Sequence, residues 1–264
     1  MPTIALSWIN HLKAATLAAS SEVGSLSAAN LLVDHLATKW RSAPGTAAFI
    51  TADLTAAKPC RLFGIFGSNV TPAATWRVRL SSSAAHAGDL YDSGVVAMGA
   101  VVVNTVLKRN IAQAALLLPA AINARYVKID LSDASIALNY VEAGAAWAGD
   151  AWQPAYGRSW GAVDGFKDEG PASYSEGGQK YIIRRDRQRV QQFSLDNLTD
   201  AERYNQVSAL DRLAGRVENI LVVPEPGGAY QNHDTVFGTL SALGAVTRRQ
   251  VNLRARRFEI EERL

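Results

Sequence analysis

The stretch LLVDHLATKWRS, residues 31–42, decides how the chain is read, because it brings an Asp, a Thr and a Trp close together with no helical period. From Ala47 to about Val141 the chain becomes a series of short β-rich segments: AAFITADL, RLFGIFGSN, TWRVRLSS, DLYDSG, VVVNTVL and ARYVKIDLSD. They are bounded by Gly, Asn, Asp, Ser and Pro, the residues that serve turns. TWRVRLSS alternates cleanly, with Trp76, Val78 and Leu80 on one face and Arg77 and Arg79 on the other. Strands at this spacing predict an antiparallel sandwich. Residues 31–42 then form an irregular lead-in over its end or edge, where Asp34 and Thr38 are expected to bond exposed backbone groups and Trp40 to cover the end of the core.

Composition bounds the rest. A chain of 264 residues, 48% hydrophobic and 19% charged, suits one large or two ordinary domains. A net charge of +3 is too small a surplus to point to nucleic acid. The lone Cys60 excludes an intrachain disulfide framework and a CxxC site, and His11, His35, His86 and His233 lack metal-ligand spacing. No metal or cofactor is expected. The N-terminus lacks the pattern of a secretory signal, and GVVAMGAVVVNTVLKRN is broken by Asn104 short of a membrane span, so synthesis in the cytosol without a membrane span is expected.

The character changes between Trp147 and Gly170, where glycine, proline and aromatics mix without a period. This places a domain boundary near Asp150, dividing the chain into a sandwich over residues 1–149 and an α+β, mostly β domain over 150–264. In the second domain, SYSEGGQKYIIRRDRQRVQQFSLDNL can form two strands joined at Gly177 and Gly178. A helix follows near 199–214: Thr199 can cap it, Glu202 completes a capping box and Gly215 can end it. Leu198, Val207, Leu210 and Leu213 give it a face to pack on a sheet. The terminal segment reads as a hairpin whose second arm puts Val251, Leu253 and Ala255 on one side.

The stretches SAANLLVDHLATKWRS, AAFITADLTAAKPCRLFGIFGSNVTPAATWRVRLSS and ARYVKIDLSDA with NYVEAGAAWAG resemble the galactose-binding-like jelly roll of discoidin and coagulation-factor C domains over residues 22–149. In that family an Asn, an acidic residue and a Thr-x-Trp element precede an i-x-x-D-L strand. The matching positions are Asn30, Asp34, Thr38 and Trp40 before the strand from Phe49 to Leu54, and the resemblance implies that they cap the end of the jelly roll. The cysteine pair that closes familiar members is absent. The C-terminal third, with YVEAGAAWAGDAWQPAYGRSWG before it, also resembles tail-tip and baseplate proteins of tailed bacteriophages and prophages. That resemblance implies a structural protein of the virion, assembled in the bacterial host, with other tail proteins as partners.

Catalysis finds no foothold. GIFGSN lacks the full spacing of a phosphate loop, and no nucleophile elbow or paired acids stand out. Arg184, Arg185, Arg187 and Arg189 in one run, and Arg254, Arg256 and Arg257 in another, are expected on a solvated or subunit-facing stripe, where guanidinium forks suit carboxylates of a neighbouring copy. Opposite charges on separate strands then predict a closed ring, three-fold or six-fold. Trp40, Trp76, Trp147, Trp152 and Trp160 are the aromatics that could stack on sugar rings, with Trp40 and Trp76 assigned instead to the core. The expected function is therefore a ring-forming phage tail-tip component displaying a jelly roll. The alternative is a carbohydrate-binding module for a cell-surface glycan.

Overall fold

The computed structural model describes residues 3–99, 101–102 and 112–264. The strands of the first half are β1 (Ala5–Ser7), β2 (Thr16–Ala19), β3 (Trp40–Arg41), β4 (Ala47–Ser68), β5 (Thr75–Ser81), β6 (Tyr91–Asp92), β7 (Val96–Ala97), β8 (Val101–Val102), β9 (Ala112–Ser132), β10 (Glu142–Ala143) and β11 (Ala145–Gly149). Those of the second half are β12 (Val163–Lys167), β13 (Ala172–Tyr174), β14 (Lys180–Ile182), β15 (Gln188–Thr199), β16 (Ile220–Val223), β17 (Val236–Leu240), β18 (Val246–Gln250) and β19 (Leu253–Glu262). The strand expected at 101–107 lies outside the described residues beyond Val102.

Two long strands organise the jelly roll. β4 and β9 pair antiparallel from Ala47↔Ser132 to Ser68↔Ala112, with register shifts between Asp53 and Lys58, between Cys60 and Leu62, and between Ile65 and Ser68. Such irregularities bend a ladder, and here β4 and β9 form the centre of one eight-stranded sheet. Their outer halves are flanked by β2 and β5, their inner halves by β11 and β8. The expected alternation of β5 is met: Trp76, Val78 and Leu80 enter the core, facing Phe63, Ile65 and Ala146 among others. Arg77 and Arg79 point outward to Asp92 and Asp130.

The second unit is an antiparallel sheet in the order β1-β16-β17-β19-β15-β12, with β18 paired to β19. A helix from Asp200 to Leu213 covers one face; its middle turn, Arg203–Val207, is π-wound. Its start follows the sequence expectation, since the Thr199 side chain accepts from the Glu202 amide and the Glu202 carboxylate reaches back to Thr199. Gly215, at φ +53°, occupies the left-handed conformation that glycine adopts without penalty where a helix ends. Val207 and Leu210 pack on the sheet with Leu198, whereas Leu213 stays exposed.

The two units share a core. The inner half of β4 reads LFGIFGS and β11 reads AAWAG, runs without polar alternation, and these strands are buried along their whole length. Such runs suit strands covered on both faces. One face completes the jelly-roll core. The other meets the second sheet, where Phe66 stacks on Phe237 at 4.6 Å between ring centroids and Trp147 meets Phe237 edge-on.

Two expectations need correction here. The division at residue 149 is crossed by the N-terminus, because β1 pairs with β16, Ala5 opposite Val223 and Ser7 opposite Leu221. An unpaired edge on the wholly buried β16 would leave backbone groups unsatisfied, and β1 covers it. In β19 the inward residues are Arg256, Phe258, Ile260 and Glu262. Val251 lies in the exposed turn before the strand, with Asn252 in the left-handed region, so the Val251, Leu253 and Ala255 face is not the buried one.

Candidate functional site

The lead-in residues divide into two groups. Asn30 and Trp40 act as clamp and plug: the Asn30 amide donates to the carbonyls of Ser25 and Lys39 at 3.0 and 2.7 Å. Trp40 is fully buried and its indole N–H donates to the Ser21 carbonyl at 3.1 Å. Asp34 works differently. Its carboxylate accepts from the Lys13 ammonium, which also pairs with Glu218 of the second unit. Its backbone carbonyl accepts from Asn219 and Arg263. Asp34 therefore ties the jelly roll to the second sheet rather than satisfying a solvent-facing backbone. Among the described residues the Thr38 hydroxyl bonds no backbone group; it meets the His35 ring at 3.5 Å.

The arginine runs are mostly satisfied inside the chain. Arg189 donates to the carbonyls of His233 and Thr235 and pairs with Glu262, both side chains being 7% exposed. Burial raises the Glu262 carboxyl above its ordinary range even beside this cation. Arg256 is buried over the Phe258 ring with Asp211 of the helix at 2.6 Å. Arg254 meets Asp200, Arg257 meets Gln192 and Arg187 meets Asp168. The subunit-interface role expected of Arg189 and Arg256 is thus overturned. β15 and β19 are neighbours with one face toward the helix, so their charges meet within the chain. Arg184 and Arg185 remain at the surface, beside Glu169.

Of the aromatics, Trp40, Trp76 and Trp147 are buried and cannot offer a ring face to a ligand. Trp147 donates to the Ser7 hydroxyl at 3.0 Å, locking β11 to β1. Trp160 is fully exposed. Trp152 is half-buried and forms the wall of a cleft between the two units.

That cleft encloses about 300 Å³ and is lined by Trp8, Arg61, Asp150, Trp152, Gln153 and Gln206. It exists because Trp152 pairs backbone to backbone with Leu6 at 2.9 and 2.8 Å, which brings the residues after β1 and after β11 together. The two indoles stand edge to face, 6.3 Å apart and 79° between planes. Arg61 is fixed by the carbonyls of Leu118 and Pro119 and by the Gln153 side chain, so its position is set before any ligand arrives. One Asp150 oxygen accepts from the Ala151 amide at 2.8 Å. The Trp8 indole N–H is buried without an acceptor among the described residues. Trp8 carried no signal in the sequence; its partner lies 144 positions away, and only the β1 pairing shows the two meeting.

No protein-family model matches the chain, and no curated protein matches it. Solved structures do. The family 32 carbohydrate-binding module of C. perfringens NanJ, in complex with galactose, is 13% identical over 55% of this chain and 99% of its own, with a TM-score of 0.40. The CBM32 of AlyQ, in complex with 4,5-unsaturated mannuronic acid, is 20% identical over 54% of this chain and 96% of its own, with a TM-score of 0.39. The lectin binding domain of lectinolysin, complexed with Lewis b, is 12% identical over 53% of this chain and 95% of its own, also at 0.39. Each covers about half of this chain, and none of the three is a phage tail protein. The fold class itself stands on the strand pairings: a mainly β protein built on antiparallel sheets.

Proposed function

We propose that the protein is a non-catalytic carbohydrate-binding protein whose saccharide site is the cleft between Trp8 and Trp152. The observation that carries this reading is the pairing of two indoles with a fixed guanidinium, a carboxylate and two side-chain amides around a cleft at the lower end of ligand-pocket sizes, ~300–1,000 Å³. Sugars present apolar C–H faces and rims of hydroxyls. An indole supplies the stacking surface for the first, and planar amide and carboxylate groups bond the second.

Galactose and 4,5-unsaturated mannuronic acid, the molecules held by two of the solved neighbours, are the first sugars to titrate. Calorimetry should detect binding by the intact chain, with Trp152→Ala and Gln206→Ala each weakening it about tenfold or more, equivalent to ~1.4 kcal/mol. Gln206 is a half-buried polar residue of the helix that lines the cleft, so unchanged melting of Gln206→Ala would separate a lost contact with the sugar from a change in fold. The proposal fails if a broad glycan array is blank, or if a bound sugar ignores both substitutions.

A structural role at a phage tail tip is a second reading, which rests on the sequence resemblance of the C-terminal third alone. The two readings coexist in an adhesion module held in an assembly. Co-purification with tail-tube protein from a producing host tests it.

A further inference from the structure

The segment from 163 to 192 is one long hairpin. β12 pairs with β15 from Val163↔Gln192 to Lys167↔Gln188, and the same two chain directions continue outward as β13 and β14, Ala172 opposite Ile182 and Tyr174 opposite Lys180. The Ile183 amide donates to the Pro171 carbonyl and links the two parts. Gly178, at φ +79°, makes the turn at the tip. Beyond Lys167 the arm runs about eight residues, roughly 25 Å at a strand's ~3.3 Å per residue. Every residue of β13 and β14 is exposed.

Two properties of this arm call for a covering surface. A two-stranded hairpin is marginal in water, yet this one carries large apolar side chains outward: Phe166, Tyr174, Tyr181, Ile182 and Ile183 are each more than half exposed, and Trp160, just ahead of the arm, is fully exposed. At roughly 100 Å² apiece they supply most of the ~800 Å² per partner found in stable interfaces. The charges are also sorted by strand. The outgoing side, 164–176, carries Asp164, Asp168, Glu169 and Glu176 against Lys167; the returning side, 180–187, carries Lys180, Arg184, Arg185 and Arg187 against Asp186. Arg187 pairs with Asp168 across the arm, while Lys167 pairs with Glu169 along the outgoing side.

We infer that the arm docks a second copy of this chain head to tail, the acidic outgoing side of one copy against the basic returning side of the next. Two identical edges placed together would set like charges opposite one another, which disfavours a two-fold contact and favours a heterologous one. Such contacts propagate into a ring or a file of subunits. The inference goes beyond saccharide binding and does not depend on it; its consequence for the cleft is multivalency, since each added copy presents another Trp8–Trp152 site.

The test is complementation in trans with the full chain, followed by analytical ultracentrifugation over a wide concentration range. The wild-type protein is expected to associate. Glu169→Lys with Glu176→Lys, and separately Arg184→Glu with Arg185→Glu, should each weaken association at least tenfold, because each variant then opposes like charges. An equimolar mixture of the two should associate again, since one variant's basic outgoing side meets the other's acidic returning side. Tyr181→Ser with Ile183→Ser, which changes no charge, should also weaken association while leaving circular dichroism and melting as in wild type. A wild-type chain that stays monomeric at every concentration overturns the inference, as does a mixture that associates no better than its components. Capture of a different protein by the arm of a monomeric chain does the same.

Discussion

The jelly roll and the sheet packed on it bury different things on faces that look alike in the backbone. In the jelly roll, β5 turns Trp76, Val78 and Leu80 inward and leaves its arginines at the rim, where Arg77 and Arg79 find aspartates in solvent. In the second sheet, β15 turns Arg189, Gln191, Phe193 and Leu195 inward, and β19 turns in Arg256, Phe258, Ile260 and Glu262. Phe193 stacks on Phe258 at the middle of that face, with an ion pair toward either end. The first core is held by area removed from water; the second also depends on buried charges being matched. The comparison shows that an arginine at an alternate strand position says nothing of exposure until the facing strand is known.

The largest effects should separate these cores by what they lose. Trp40→Ala removes a fully buried indole and its bond to Ser21, and should cost on the order of 3–5 kcal/mol in urea denaturation, because the cavity cannot collapse around a jelly-roll end. Trp40→Phe, which keeps most of the volume, should recover most of that. If the two substitutions cost the same, volume is not what this core responds to.

In the second sheet the response should follow charge instead. Arg189→Ala leaves Glu262 buried without its cation and takes a donor from the His233 and Thr235 carbonyls, of which Thr235 keeps Gln113, for a loss of about 3 kcal/mol, the low end for a broken buried pair. The low end applies because burial already raises the Glu262 carboxyl, so protonation offers it a way out. Replacing both partners together, Arg189→Met with Glu262→Met, should be within about 1 kcal/mol of wild type. A double variant that loses as much as the single one would show that packing, not charge matching, sets the cost.

The smallest effect is a pH slope of opposite sign in the two units. Arg77 holds the Asp92 carboxyl at about 2, below its ordinary 3.8, so its contribution is present above pH ~3.8 and lost as pH falls toward 2. Glu262 is raised, so its contribution is greatest below its ordinary 4.5 and declines as pH rises through the folded value. Asp92 is solvent-exposed, and screening keeps its share under about 1 kcal/mol. Comparing urea midpoints of wild type with Asp92→Asn and with Glu262→Gln from pH 2 to 7 should show the two differences running in opposite directions; parallel slopes would contradict the assignment.

The residues that sequence patterns could place were those whose partners are near in the chain or whose type fixes their side. β5 declared its buried face by alternation, and the helix declared its start through Thr199 and Glu202. Asn30 bonds two carbonyls of the lead-in and Trp40 is buried, a bonding and a burial that their residue types suggested. The candidate cleft was not legible beyond Trp152, because Trp8 joins it only through β1, and the basic runs gave no sign of Glu262 or Asp211 waiting opposite.

The sequence by itself determined the β-rich sandwich, its turns and the capped helix, since period-two alternation, turn chemistry and end capping act over a few residues and leave their pattern in the local order of side chains. Tertiary structure alone decided that residues 5–7 cross to pair with 220–223, that the inner halves of β4 and β11 are buried on both faces, and that arginines on β15 and β19 go inside. Each of those outcomes is a choice among distant edges and faces, settled by which arrangement leaves the fewest backbone groups and charges buried without partners.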